Sequence, residues 1–332
     1  MTTLAPLESL YELNPDAGVN LPLPSELSNL YGHLQFPPHG GRSYVIANFV
    51  STLDGVVSLG IPGRSGGGEI SGFNPYDRMV MGLLRAAADA VIVGAGTLRA
   101  VSADHVWNAA YIFPTLAEAY QQLRAAMGKP EPPLNVIVTA RAEIDLSLRV
   151  FQSGEVPVLI VTTPQGQEHL SKQPMPASVQ VAVVEESAAA GELSARAVLN
   201  ACVNHLRHAA PSTSTPKVPG REVPPRKNQG RWQAGSGQRP ALLRGSDLIL
   251  VEGGPHLMGN FLTENCLNEL FLTFAPQIAG RDNSTERPGL IAGKRYAPEQ
   301  PLWGALTSVK RAGSHLFLRY SLKESSVYRS SH

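Results

Sequence analysis

Ala88-Asp-Ala-Val-Ile-Val-Gly-Ala-Gly-Thr97 joins an unbroken apolar run to two closely spaced glycines. A strand with one wet face alternates apolar and polar residues. This run does not alternate, so it reads as a strand buried on both faces, as in a parallel sheet covered by helices. The glycines at its carboxyl end let backbone amides approach a phosphate or pyrophosphate closely. The third glycine of a dinucleotide fingerprint is absent, because Arg99 stands where it belongs, and the motif by itself is weak.

Upstream, Tyr44-Val-Ile-Ala-Asn-Phe-Val50 reads as a first buried strand, followed by the polar turn Ser51-Thr-Leu-Asp-Gly55 and a glycine-dense loop from Gly60 to Gly72. Asn74 to Ala88 fits a helix, with Asn74 as cap, Pro75 in the first turn, and Met79, Leu83 and Ala87 at helical spacing. Downstream, strands are expected at Leu134–Thr139, Val156–Thr162 and Gln180–Glu185, then a helix at Leu193–Leu206. Asp247-Leu-Ile-Leu-Val-Glu-Gly-Gly254 is another buried strand ending in glycines, and a helix follows from His256 to Glu264. Glu269–Phe274, Ala305–Arg311 and His315–Ser321 close the chain as strands with tight connections. Buried strands alternating with helices imply an α/β fold, its sheet mostly parallel, with an antiparallel finish.

The 332 residues, 43% of them hydrophobic, suffice for a sizeable core. The expected division is an N-terminal extension at 1–42 draped over one domain at 43–323, and a tail at 324–332. Within the domain, Pro211 to Ser246 holds six prolines, five glycines and seven Lys/Arg against one Glu. Too little of that segment can be buried to offset the entropy of ordering, so it is expected to be a disordered, solvated insertion rather than a nucleic-acid site. A net charge of +1 gives no argument for nucleic acid or an acidic membrane surface. Cys202 and Cys266 cannot build a disulfide framework or a four-ligand zinc site, His205 and His208 read as solvated, and no metal is expected. No apolar stretch approaches the roughly 20 residues that span a bilayer, nor does Met1–Leu34 read as a signal peptide, so the cytoplasm is the expected compartment.

Ligands of open α/β sheets bind beyond the carboxyl ends of the strands, and three strand ends here carry unusual residues. Asp54 in the first is compatible with a plain Asp-Gly turn. The second is the glycine turn at Gly94. In the third, Glu252 at the end of a buried strand needs a hydrogen-bond donor, which the amino groups of a ligand would supply.

Ser51-Thr-Leu-Asp-Gly55, Leu83-Leu-Arg-Ala-Ala-Ala-Asp-Ala-Val-Ile-Val-Gly-Ala-Gly-Thr97 and Leu250-Val-Glu-Gly-Gly-Pro-His-Leu257, in this order, resemble the reductase domain of the bacterial riboflavin-synthesis protein, a relative of dihydrofolate reductase. The resemblance covers roughly Ser43 to Tyr320 apart from the insertion. It implies a dihydrofolate reductase-like three-layer sandwich with a central sheet of about eight or nine strands, NADPH as hydride donor, and a homodimer. The implied reaction reduces the ribosylamino group of a pyrimidine ribose phosphate to ribitylamino. Carried over residue by residue, Asp54 is the catalytic, active-site aspartate close to nicotinamide and substrate, while Glu252, Arg85 and Ser65 bind substrate. Thr52, Gly94, Gly96, Thr97, Gly253, Gly254, Pro255, His256 and Leu257 bind cofactor, and Gly66 to Gly68 lie where the family contacts substrate or cofactor.

Two departures stand out. Relatives follow the Gly-Thr turn with an Asp-Asp-Pro or Asp-Asn-Pro tract, whereas here Leu98-Arg-Ala-Val-Ser-Ala-Asp-His-Val-Trp107 has one displaced aspartate, Asp104, and no proline. The fused zinc deaminase of many relatives is missing, since no His-x-Glu with Pro-Cys-x-x-Cys occurs. The alternatives are a reductase of the same fold acting on another small substrate, or a nucleotide-binding regulator without turnover.

Overall fold

A computed structural model describes residues 4–13, 18–61, 66–185, 191–209, 247–282 and 284–322. The expected disordered insertion at Pro211–Ser246, the tail at 324–332 and Ser65 lie outside the described residues. In chain order the elements are β1 (Glu8–Glu12), β2 (Val19–Asn20), α1 (Ser25–Tyr31), β3 (Gln35–Phe36), β4 (Tyr44–Ser51), α2 (Gly67–Ser71) and α3 (Pro75–Ala87). They continue with β5 (Ala90–Gly94), α4 (Ala95–Ala100), α5 (Ala109–Ile112), α6 (Ala117–Ala126), β6 (Leu134–Val138), α7 (Arg149–Gln152), β7 (Val158–Thr162) and α8 (Pro164–Ser171). The last are β8 (Val179–Val183), α9 (Ala195–Ala209), β9 (Leu248–Val251), α10 (Pro255–Thr263), β10 (Glu269–Phe274), β11 (Ala305–Ala312) and β12 (His315–Ser321).

One sheet of ten strands organises the protein in the order β1-β11-β12-β10-β4-β9-β5-β6-β7-β8. From β10 to β8 neighbouring strands are parallel, and β10, β12, β11 and β1 pair antiparallel. Side chains of β5 show why its apolar run is continuous. Val91 and Val93 face a core packed by α3, α6 and α7, while Ala90 and Ile92 face a second core packed by α9 and α10. A strand covered on both sides has no position at which a polar residue costs nothing.

The nine strands expected from the sequence are all present, and the tenth is β1 from the N-terminal segment. That segment is also pinned inside the main core by Leu27, Tyr31, Leu34 and Phe36. Arg319 locks it in place: its guanidinium donates to the Gln35 carbonyl at 2.6 Å and lies 5.0 Å from the rings of both Phe36 and Phe271. Glu-Ser-Leu-Tyr-Glu at β1 has four of its five residues exposed, because an edge strand needs backbone pairing and little apolar burial. No periodicity marked it. The glycine-dense stretch after Gly60, expected to be loop throughout, holds the short helix α2, closed by Gly72 in the left-handed region. Among the described residues no helix is long and apolar enough to cross a membrane.

Candidate active site

β4, β5, β6 and β9 end at one edge of the sheet, with Ser51, Gly94, Val138 and Val251 as their last residues. A cleft of about 1030 Å³ opens over that edge. Its floor and walls come from Asn48–Val50, Gly94–Thr97, Val138–Arg141 and Glu252–Leu257, with Gly66–Gly68 and one face of α3 closing it.

Two glycine turns lie side by side because β5 and β9 are parallel neighbours in register, Ile92 opposite Val251, and the Glu252 amide donates to the Ile92 carbonyl at 3.0 Å. A Cβ at Gly253 would come within 3.1 Å of the Gly94 backbone nitrogen and 2.3 Å of a Leu257 methyl, so this close approach requires glycine. Around Gly94 and Gly96 a Cβ would meet nothing within 4 Å, so both backbones lie open towards the cleft. Gly254 is the N-cap of α10 and has no side chain to cap it, while Pro255 fills the first position without an amide. The remaining first-turn amides, with the helix dipole behind them, form a site for an anion. The Thr97 hydroxyl sits between the turns, 3.5 Å from where a Gly254 Cβ would be. These residues fit the pyrophosphate of a dinucleotide cofactor, and every glycine-turn residue expected to bind cofactor (Gly94, Gly96, Thr97, Gly253, Gly254, Pro255, His256 and Leu257) lines the cleft.

Two expected residues are placed elsewhere. Asp54 is not among the cleft-lining residues. Its carboxylate accepts the Thr52 hydroxyl at 2.6 Å and the amides of Ala279 and Gly280 at 3.1 and 2.8 Å, and its carbonyl accepts from Arg281 at 2.7 Å. Those bonds, the Thr52 hydroxyl first, hold its pKa at about 2. Thr52 is fully buried, its hydroxyl proton is committed to Asp54, and the same oxygen accepts from the Val56 amide at 2.9 Å. Together they tie the turn after β4 to the 279–281 loop. The structure thus shows Asp54 and Thr52 bonded within the turn and absent from the residues that line the cleft.

Arg85 and Glu252 do meet in the cleft wall, but each is occupied by the other. Arg85 Nη2 lies 2.7 Å and Nε 3.0 Å from Glu252 Oε2, with side-chain exposures of 2% and 6%. The donor that Glu252 was expected to find in a ligand is supplied by the protein, and the guanidinium expected to hold a substrate phosphate is directed to the carboxylate. Oε1 receives only the longer 3.3 Å contact from Nε and keeps accepting capacity for a ligand amino group.

Two cleft residues escaped the sequence reading. Asp77, in the first turn of α3, is 3% exposed and hydrogen-bonded by the Thr273 and Ser71 hydroxyls. Burial outweighs those bonds and raises its pKa to about 6. In sequence it is indistinguishable from an acid that favours a helix N-terminus. His105 packs 4.7 Å from the Trp107 ring and 4.9 Å from Tyr111. Burial, with the Arg85 charge nearby, lowers its pKa to about 3 and keeps the ring neutral, and its Nε2 is enclosed without a hydrogen-bond partner. Asp104 is exposed, bonded by the Ser102 hydroxyl, and does not line the cleft. Along this stretch the chain lines the cleft with His105, Trp107 and Tyr111.

A family model described as the RibD C-terminal domain matches residues 43–203 and 243–295. A pyrimidine reductase-like protein from Corynebacterium diphtheriae superposes with a TM-score of 0.57 at 19% identity, covering 85% of this chain and 93% of that one. RibD from Acinetobacter baumannii gives 0.53 at 17% identity over 86% of this chain, which spans 59% of the larger protein. At such identities the likeness is one of fold. No curated protein matches the sequence.

Proposed function

The chain belongs to the RibD C-terminal domain family, and from that premise we propose that it is an NADPH-dependent reductase of riboflavin synthesis. Its substrate in this reading is a phosphorylated ribosylaminopyrimidine, whose ribosylamino group becomes ribitylamino. The observation that carries the proposal is the pair of apposed glycine turns at the ends of β5 and β9, opening onto a single cleft large enough for cofactor and substrate together.

Gly94–Thr97 and Gly253–Leu257 would hold the cofactor, and when bound it supplies a hydride to the sugar C1. The chain's own residues do the rest. Glu252, fixed by Arg85, presents Oε1 to a pyrimidine amino group, and the pair stays aligned because each partner is buried by the other. Phe49, Trp107 and Tyr111 give the cleft apolar surface that excludes water from the reacting atoms. A homodimer belongs to the same proposal, with exposed Leu302 and Trp303 (47% and 73%) as apolar surface for it to bury, and sedimentation tests it.

A second reading, reduction of a different small substrate, is favoured by the stretch after Thr97, where Val101, His105 and Trp107 rather than acids face the cleft. One assay separates the two: NADPH oxidation by the purified protein with the ribosylaminopyrimidine phosphate. Turnover supports the pathway reading. NADPH binding without turnover on that compound leaves the second.

A further inference from the structure

Phe73 joins α2 to α3 and is set in place from both sides. Gly72 before it closes α2, and Asn74 after it caps α3, its side chain accepting from the Tyr76 and Asp77 amides. The Phe73 amide donates to the Gly68 carbonyl at 2.7 Å, and its φ is +55°. That backbone is strained for a bulky side chain, whereas glycine or asparagine adopts it readily. Among the described residues Ala142 and Asn265 are the other non-glycine positions of this kind. Asn265 is of the type that tolerates it, and Ala142 is held by complete burial in the main core. Phe73 has neither reason, since 61% of it is exposed.

A second feature of the sequence holds the ring where it is. A Cβ on Gly68 would come within 2.9 Å of Phe73 Cε1, so the ring rests against bare backbone of α2. Of the exposed large hydrophobic side chains among the described residues, Phe73 alone lines the cleft. Packing does not account for a phenylalanine here, and the backbone conformation opposes one. Residues held in such conformations cluster at ligand sites. We infer that Phe73 is a binding residue whose ring stacks on a planar heteroaromatic ring in the cleft, the nicotinamide of the cofactor or the pyrimidine of the substrate. The inference rests on the reductase reading above and adds a ring contact to it. Stacking buries the face that Phe73 leaves in water and selects a flat π system over an aliphatic group of similar size. The phosphate turns at Gly94 and Gly253 have no part in that selection.

Phe73→Gly and Phe73→Asn test this, because each removes the ring and installs a residue suited to the backbone. Both should fold, with urea midpoints no lower than that of the wild type. Cofactor affinity is read by fluorescence titration with NADPH, and KM by NADPH oxidation with the ribosylaminopyrimidine phosphate. One of the two constants should worsen by about fivefold to tenfold, Kd for NADPH if the partner is nicotinamide and KM if it is the pyrimidine. 2′-Phospho-ADP-ribose, which lacks the nicotinamide, should bind the variants as it binds the wild type. Phe73→Tyr keeps the ring and should keep both constants. Gly68→Ala displaces the ring without removing it, so it should weaken the same constant and add nothing in the Phe73→Gly background.

Both constants unchanged in Phe73→Gly overturn the inference, as does an equal loss of affinity for 2′-phospho-ADP-ribose. A lowered urea midpoint would show that the ring serves the fold and overturns it too. So does altered sedimentation with both constants intact, which would make the exposed ring a contact between copies of the chain. If the wild type binds NADPH but does not turn over the pyrimidine, the substrate reading fails instead, and the NADPH titrations alone decide Phe73.

Discussion

The Arg85 guanidinium and the Glu252 carboxylate meet at 2.7 Å, one from the last turn of α3 and the other from the residue after β9, both almost wholly buried. They are 167 positions apart in sequence. The pair sets the orientation of Glu252 Oε1, an acidic oxygen in the cleft wall with accepting capacity for an amino group, and its energetics follow from burial. Breaking such a pair by removing one partner costs about 3–5 kcal/mol, whereas replacing both with apolar groups can be nearly neutral. Arg85→Met should therefore destabilise the protein by that amount in urea unfolding, and Arg85→Met with Glu252→Leu should recover most of it. Additive losses would show that the two side chains act independently.

Glu252→Gln keeps the shape but weakens both the grip of Arg85 and the acceptor at Oε1. KM for the pyrimidine should rise by a factor corresponding to about 1.5–3 kcal/mol, the scale of a hydrogen bond to a charged group. NADPH affinity should stay constant, and a fluorescence titration beside steady-state kinetics checks both.

Asp54→Asn should affect stability rather than chemistry. The native carboxyl has its pKa depressed from 3.8 to about 2, so its contribution is complete above the ordinary carboxylate range and is lost as pH falls through about 2. The variant should melt below the wild type at pH 7, the two curves should converge in acid, and turnover should be retained. A turnover loss of a hundredfold at unchanged melting temperature would return Asp54 to the chemistry.

Asp77 shifts in the opposite sense. A carboxyl whose pKa rises from 3.8 to about 6 on folding contributes stability that is full below about 3.8 and is lost as pH rises through about 6. Two units correspond to roughly 3 kcal/mol at most. Asp77→Asn, which cannot ionise, should narrow the stability difference between pH 4.5 and 7.5, measured by urea midpoints at the two values. An unchanged difference would mean that the buried carboxyl does not titrate there.

NADPH should bind more tightly than NADH. Arg99 behind β5 and Arg141 behind β6 line the cleft beside the phosphate turns and can meet the extra phosphate. Arg99→Glu should weaken NADPH by about tenfold, or 1.4 kcal/mol, and leave NADH unchanged. Equal affinities for the two cofactors in the wild type would argue against the proposal.

Nine strands, their mostly parallel order and the two glycine turns were legible in the sequence, because a strand covered on both faces must be apolar throughout and a turn that another backbone approaches must be glycine. β5 with Gly94 and β9 with Gly253 state both rules within a few residues. β1 was not legible, since an edge strand is held by backbone pairing to β11 and leaves its side chains in water. Side-chain partnerships were not legible either. Arg85, Glu252, Asp54 and Asp77 are all ordinary residues for a helix, a strand end or a turn, and their roles depend on which other groups reach them. Folding brought the guanidinium of α3 to the carboxylate after β9, gave Asp54 three donors of its own, and buried Asp77 beside two hydroxyls, with His315 and Glu252 near enough to act on its charge. Local pattern is written in the sequence because burial and backbone conformation act residue by residue. The partner of a charge, and with it the proton affinity, is a property of distance in the folded chain, which only the tertiary structure decides.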